Sequence, residues 1–178
     1  KLVADIQTSD MLNLPTPEVE GGKAEIVATE ATEFQKMLMD SFVERAEKIR
    51  NGEVEATIDN MLKLTNEAKL MSIDPRLIIE DAPNDPESKL NIAINNVLSI
   101  WQNGKEKSTT QIIFCDSGTP KPGQFNVYDE IKSCLIMKGV DEVQIAFVHD
   151  AKTDEQREAL FEKVRMGEVR ILLGSTSK

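Results

Sequence analysis

Residues 110–178 read TTQIIFCDSGTPKPGQFNVYDEIKSCLIMKGVDEVQIAFVHDAKTDEQREALFEKVRMGEVRILLGSTSK, and this stretch decides the fold. Three short runs rich in apolar and β-branched residues occupy 111–115, 143–148 and 169–173. Runs of this kind suit strands of a parallel sheet buried on both faces. Between them, about 125–138 and 153–166, apolar residues recur at helical spacing. Strand, helix, strand, helix, strand predicts a βαβαβ unit with right-handed crossovers. Its polar loops at the C-terminal ends of the strands are candidate contact surfaces.

Upstream of a polar loop at 105–109, the pattern turns helical. A helix is predicted over about 87–102, with Leu90, Ala93, Ile94, Val97, Leu98 and Trp101 inward and Gly104 just past its end. Another is predicted over 59–72, with Met61, Leu62, Thr65 and Ala68 inward. Pro75 closes it, because a residue before proline, here Asp74, is biased away from helix. The first helix opens with Thr32-Glu33-Phe34-Gln35, which has the form of a capping box. Phe34, Leu38, Phe42, Ala46 and Ile49 then form one stripe, and Asn51-Gly52 stops it. The segment AEIVAT at 24–29 is a further candidate strand. Residues 1–22 contain Pro15, Pro17, Gly21 and Gly22 and read as a linker or extended arm. The expectation is an α/β fold in one structural unit over 23–178. It has a mostly parallel sheet at 105–178 and an N-terminal appendage, strand plus helices, at 23–104.

The chain has 178 residues, enough for one domain with a sizeable core or a core with an appendage. It is 40% hydrophobic and 29% charged, ordinary for a globular protein. No apolar run approaches the roughly 20 residues that span a bilayer. No signal peptide is visible in the opening Lys1, Asp5, Gln7 and Asp10. The first residue is not Met and the last strand runs straight to the terminus, so the chain reads as a piece of a longer protein. Cys115 and Cys134 lack the companions of a metal site and read as reduced thiols, which suits a cytoplasmic location. The net charge of −10 argues against strong DNA binding by the chain alone. It leaves room for a lobe that touches a phosphate backbone at a few loops.

The loop GTPKPG at 118–123 lies where a nucleotide P-loop would lie. Gln124 and Phe125 follow it, so the lysine that reaches the terminal phosphates is missing. Ser117, Thr119, Lys121 and the following helix N-terminus could hold one backbone phosphate, against the ordinary reading of a solvated loop. His149, the single histidine, has no nucleophile or second ligand in the sequence nearby and reads as structural. Glu155, Glu158 and Glu162, interleaved with Arg157, Lys163 and Arg165, read as a salt-bridged helix surface. Ser175 and Thr176 end the last strand as turn residues or as phosphate contacts.

Taken together these residues resemble the second RecA-like lobe of superfamily-two helicases. The likeness is to the chromatin-remodeller-like (Snf-type) branch, as in phage and conjugative-element helicases fused to methylase modules. QIIFCD at 111–116 resembles motif IV. AFVHD at 146–150, with Thr153, Arg157 and Phe161 after it, resembles the family's next strand and helix. VRILLGST at 169–176 resembles the opening of motif V. Ser88-Lys89-Leu90, AKLMSIDPRL at 68–77 and the segment 14–35 resemble the approach to the lobe. Each motif alone is short; their order and spacing carry the likeness.

The resemblance implies a three-layer RecA-like lobe of an ATP-driven motor on duplex DNA. ATP and Mg2+ would be held by the parent protein, chiefly on a first lobe of the same polypeptide. It implies DNA-backbone contacts by Asp116, Thr119, Lys121, Ser175 and Thr176, with His149, Asp150 and Thr153 as secondary candidates. The chain has no Walker A motif, no acidic box and no arginine-finger motif, so by itself it is expected to be inactive. Two other readings remain: a non-catalytic α/β scaffold for a DNA-modifying partner, and an unrelated flavodoxin-like enzyme. The latter lacks a cofactor loop with the right glycine spacing.

Overall fold

The computed structural model describes residues 19–121 and 123–176. Most of the expected arm, residues 1–18, lies outside them. The described residues form a mixed α/β chain with five α-helices and a three-stranded parallel sheet. In chain order these are α1 (Glu33–Arg50), α2 (Met61–Met71), α3 (Lys89–Asn103), β1 (Gln111–Phe114), α4 (Val127–Met137), β2 (Ile145–Phe147), α5 (Asp154–Arg165) and β3 (Ile171–Gly174). Among the described residues no helix is long and apolar enough to cross a membrane.

The helices begin where side chains can cap them. Thr32 and Thr153 both make complete capping boxes, with Gln35 and Gln156. Asn60, Ser88 and Asn126 each accept a bond from a first-turn amide. Each such cap is worth about 1 kcal/mol, because the first amides of a helix have no partner of their own. Gly52 and Gly167 take the positive φ that ends α1 and α5.

The strand order is β1-β3-β2. Gln111 faces Ile171 across β1 and β3, Ile145 faces Ile171 from the other side, and Phe114 lies opposite Gly174. Ile145, Phe147, Ile171 and Leu173 enter the main core with Leu90 and Ile94 of α3 and Val127, Tyr128, Ile131 and Leu135 of α4. Arg170 would be costly in this apolar run. It is buried but satisfied: its guanidinium donates to the carbonyls of Trp101 and Thr109 and lies against the Trp101 ring.

A second cluster joins α1 and α2. Leu38 and Phe42 meet Leu64 and Met71, with Phe34, Ala46, Ile49, Ala68 and Ile78 around them. Gln35 is buried there and donates to the Met71 carbonyl at 2.9 Å. Arg45 holds this hairpin together by donating to both Asp59 and Glu67. Those bonds, Asp59 first, outweigh desolvation and raise the pKa of the guanidinium.

Several expectations are corrected. Residues 24–29 form no strand; Ile26 and Val27 stand exposed, with no neighbouring strand to bond among the described residues. The inner face of α2 is Leu64, Ala68 and Met71, whereas Met61, Leu62 and Thr65 face outward. Ala93 of α3 is exposed. The sheet is not covered evenly: Ile112 and Phe114 of β1 are 57% and 63% exposed. The run 143–148 gives up its ends to 3-10 turns, Glu142–Gln144 and Val148–Asp150.

Candidate nucleic-acid interface

Parallel strands point their C-terminal ends to one edge, so residues distant in sequence meet there. The loop after β1, the turn after β2 and the residues after β3 surround a cleft of about 550 Å³. Asp116, Thr119 and Pro120 line it from the first, Val148 and His149 from the second, and Gly174, Ser175 and Thr176 from the third. Five of the eight site residues expected from sequence therefore share one cavity.

A link across the sheet fixes its mouth. The Thr176 amide donates to Asp116 Oδ1 at 2.7 Å, and the Thr176 hydroxyl lies 3.0 and 2.9 Å from the two carboxylate oxygens. Asp116 thus spends its charge on the β3 loop. A carboxylate repels phosphate, so this role suits it better than a direct backbone contact.

His149 is held by rings. Its imidazole stacks on Phe147 at 5.3 Å between centroids and meets Tyr128 edge-on at 5.4 Å. Its Nε2 lies 3.6 Å from Asp150, which is largely exposed. Tyr128 was not singled out by sequence; its place in the i, i+3, i+7 stripe with Ile131 and Leu135 marks it as core. The structure adds a floor role: its ring lines the cleft and its hydroxyl donates to the Cys115 carbonyl at 2.8 Å. Burial raises the phenol's pKa, helped by Cys115 and Asp116.

The remaining expected residues lie apart. Lys121 is exposed beside a shallow depression with Pro120, Gly123, Gln124 and Asp129, outside the cleft. Asp150 is exposed next to His149, and Thr153 is occupied as the N-cap of α5. The N-terminus of α4 does not suit a nucleotide. Asn126 caps it, and Asp129 and Glu130 fill its first turn with negative charge. Cys115 and Cys134 are free and half-buried. Burial pushes both thiols up, the Cys115 thiol donating to the Ser117 carbonyl. Among the described residues no cluster of three or more metal-ligating side chains is present.

The arrangement sets the hydroxyls of Thr119, Ser175 and Thr176 around the cleft, the last bonded to Asp116, and puts Lys121 just outside it, next to Pro120. It can grip oxygen-rich, extended ligands by hydrogen bonds. Compared with protein-family models, with curated proteins and with solved structures, the chain matches none.

Proposed function

We propose that this chain is the second, RecA-like motor lobe of an ATP-dependent DNA helicase or translocase of the Snf-type branch, contacting the DNA backbone through the cleft at the strand ends. The observation that carries the reading is the Asp116–Thr176 link, which joins the motif-IV-like and motif-V-like segments at adjacent strands. Two such segments must lie side by side to touch successive phosphates of one strand. Thr119, Ser175 and Thr176 line the path of those phosphates, Lys121 supplies a charge, and Asp116, which takes both donors of Thr176, holds that segment in place. His149, Asp150 and Thr153 belong to the flanking turn.

Handedness supports the finer fold. With the order β1-β3-β2, the crossover through α4 runs one way and that through α5 returns. Two right-handed crossovers of opposite direction put their helices on opposite faces. Leu172, buried on the parity opposite to Ile171 and Leu173, supports cover over the middle of the second face, while Ile112 and Phe114 on that same face stand open at the β1 edge. The loop at 118–123 does not fit a nucleoside triphosphate. ATP and Mg2+ therefore belong to a first lobe of the same polypeptide, and a methylase module is a further candidate neighbour.

The test is ATP hydrolysis by the two-lobed polypeptide containing this chain, with and without duplex DNA. Strong DNA stimulation that the Lys121→Ala, Thr176→Ala double variant loses is the expected result. Equal stimulation in the variant would reject these contacts. A folded two-lobed protein that hydrolyses no ATP would reject the motor. The net charge of −10 favours the scaffold as the second reading, since phosphate binding draws chiefly on cations.

A further inference from the structure

The 3-10 turn Pro75–Leu77 sits between the two hydrophobic clusters. Leu77 packs on the sheet core, while its neighbour Ile78 packs on the α1–α2 cluster. Arg76 reaches out of this turn as a nearly buried cation. It donates to both oxygens of Asp74, at 2.9 and 2.8 Å, and to Glu130 of α4 at 2.7 Å. Its guanidinium lies 4.3 Å over the Phe125 ring. Phe125 and Glu130 follow the loop after β1. At the loop's other end, Gly118 has φ +69°. A Cβ there would meet Val127 at 2.6 Å and the Leu77 methyls at 3.1 and 3.2 Å. The Gly118 carbonyl accepts from the Val127 amide at 2.9 Å. One upstream turn therefore touches the loop at its start and grips the chain just beyond its end.

We propose that Arg76 and Leu77 are positioning residues for the loop after β1 (its described residues 116–121 and 123–124), fixing it from below so that Thr119 lines the cleft and Lys121 lies just outside it. The significance of that loop rests on the DNA reading above. Arg76 acts as a planar fork: two carboxylates bind its edges and an aromatic ring covers its face. An ammonium cannot do all three. The alternative is an ion pair that merely stabilises the chain. Arg45 provides the comparison, because it also bonds two carboxylates, Asp59 and Glu67, but within the helical hairpin.

Amide hydrogen exchange read by mass spectrometry on the 178-residue chain separates the two. Arg76→Met and Glu130→Gln should speed exchange of the hydrogen-bonded amides that close the loop, Gln124 and Val127, by about five-fold or more, with β1 and β3 unchanged. Arg76→Lys should recover part of the protection, and Arg45→Met should leave the loop as it was. Unchanged loop exchange in both Arg76→Met and Glu130→Gln overturns the proposal. So does a loop effect as large in Arg45→Met. Should Arg76→Met fail to fold, Glu130→Gln and Leu77→Ala, which each remove one arm, decide the matter by the same loop readout. The same runs with duplex DNA test the other reading. If duplex gives wild-type 116–124 and 174–176 no protection while the variants still loosen the loop, the DNA contact falls and the positioning role stands.

Discussion

At the scale of single residues, the cleft depends on a few groups that sequence could name but not connect. Asp116 and Thr176 were each legible as strand-end polar residues. Their bond was not, because it spans 60 positions and follows from the strand order. A double-mutant cycle with Asp116→Ala and Thr176→Ala should show a coupling of about 1 kcal/mol in urea unfolding, as for a charge-assisted bond that is solvent-exposed. Additive effects would mean that the hydroxyl arm of the link is not formed in solution, the amide arm being kept in Thr176→Ala. The two glycines of the loop give a sharper contrast. Both have positive φ, yet a methyl at Gly123 meets open space while one at Gly118 strikes Val127 and Leu77. Gly123→Ala should cost about 1 kcal/mol, the penalty of the left-handed backbone, and Gly118→Ala clearly more. Equal midpoints in urea would contradict the packing described for Gly118.

At the scale of elements, what the sequence betrays depends on how sharply its periodicity points. The strands, α1, α3, α4 and α5 were legible because their apolar spacing has one phase and their caps are explicit. The face of α2 was misjudged because Met61, Leu62, Leu64, Leu70 and Met71 place apolar groups almost all round a short helix. Contact with Phe42 and Leu38 selects Leu64 and Met71. Leu64→Ala should therefore cost about 2–4 kcal/mol, and Leu62→Ala less than about 0.5 kcal/mol. The reverse order in thermal or urea unfolding would restore the sequence-based face. The segment 24–29 failed as a strand for a different reason: β-propensity cannot act without a neighbouring edge to pair with.

At the scale of the whole molecule, charge sets the response to acid. Asp59 is held below the usual carboxylate range by its bond to Arg45, Glu142 by Lys132, and Glu155 by its own backbone amide and by Thr153. A carboxylate depressed in the folded state contributes stability above its unfolded pKa and loses it as pH falls through the folded value. Stability should thus decline below about pH 4, and Asp59→Asn should decline less steeply over that limb. Urea midpoints between neutral pH and that limb check this; parallel curves for both proteins would show that Asp59 carries none of the effect. The strand order has a consequence in time as well as in space. β1 and β2 do not pair with each other; each pairs with β3, which is made last. A chain emerging from the ribosome therefore carries 111–114 and 145–147 as strands with nothing between them until 171–174 appear. Until β3 is made, the two earlier segments have no partner in this sheet, and their apolar residues are left open to wrong contacts.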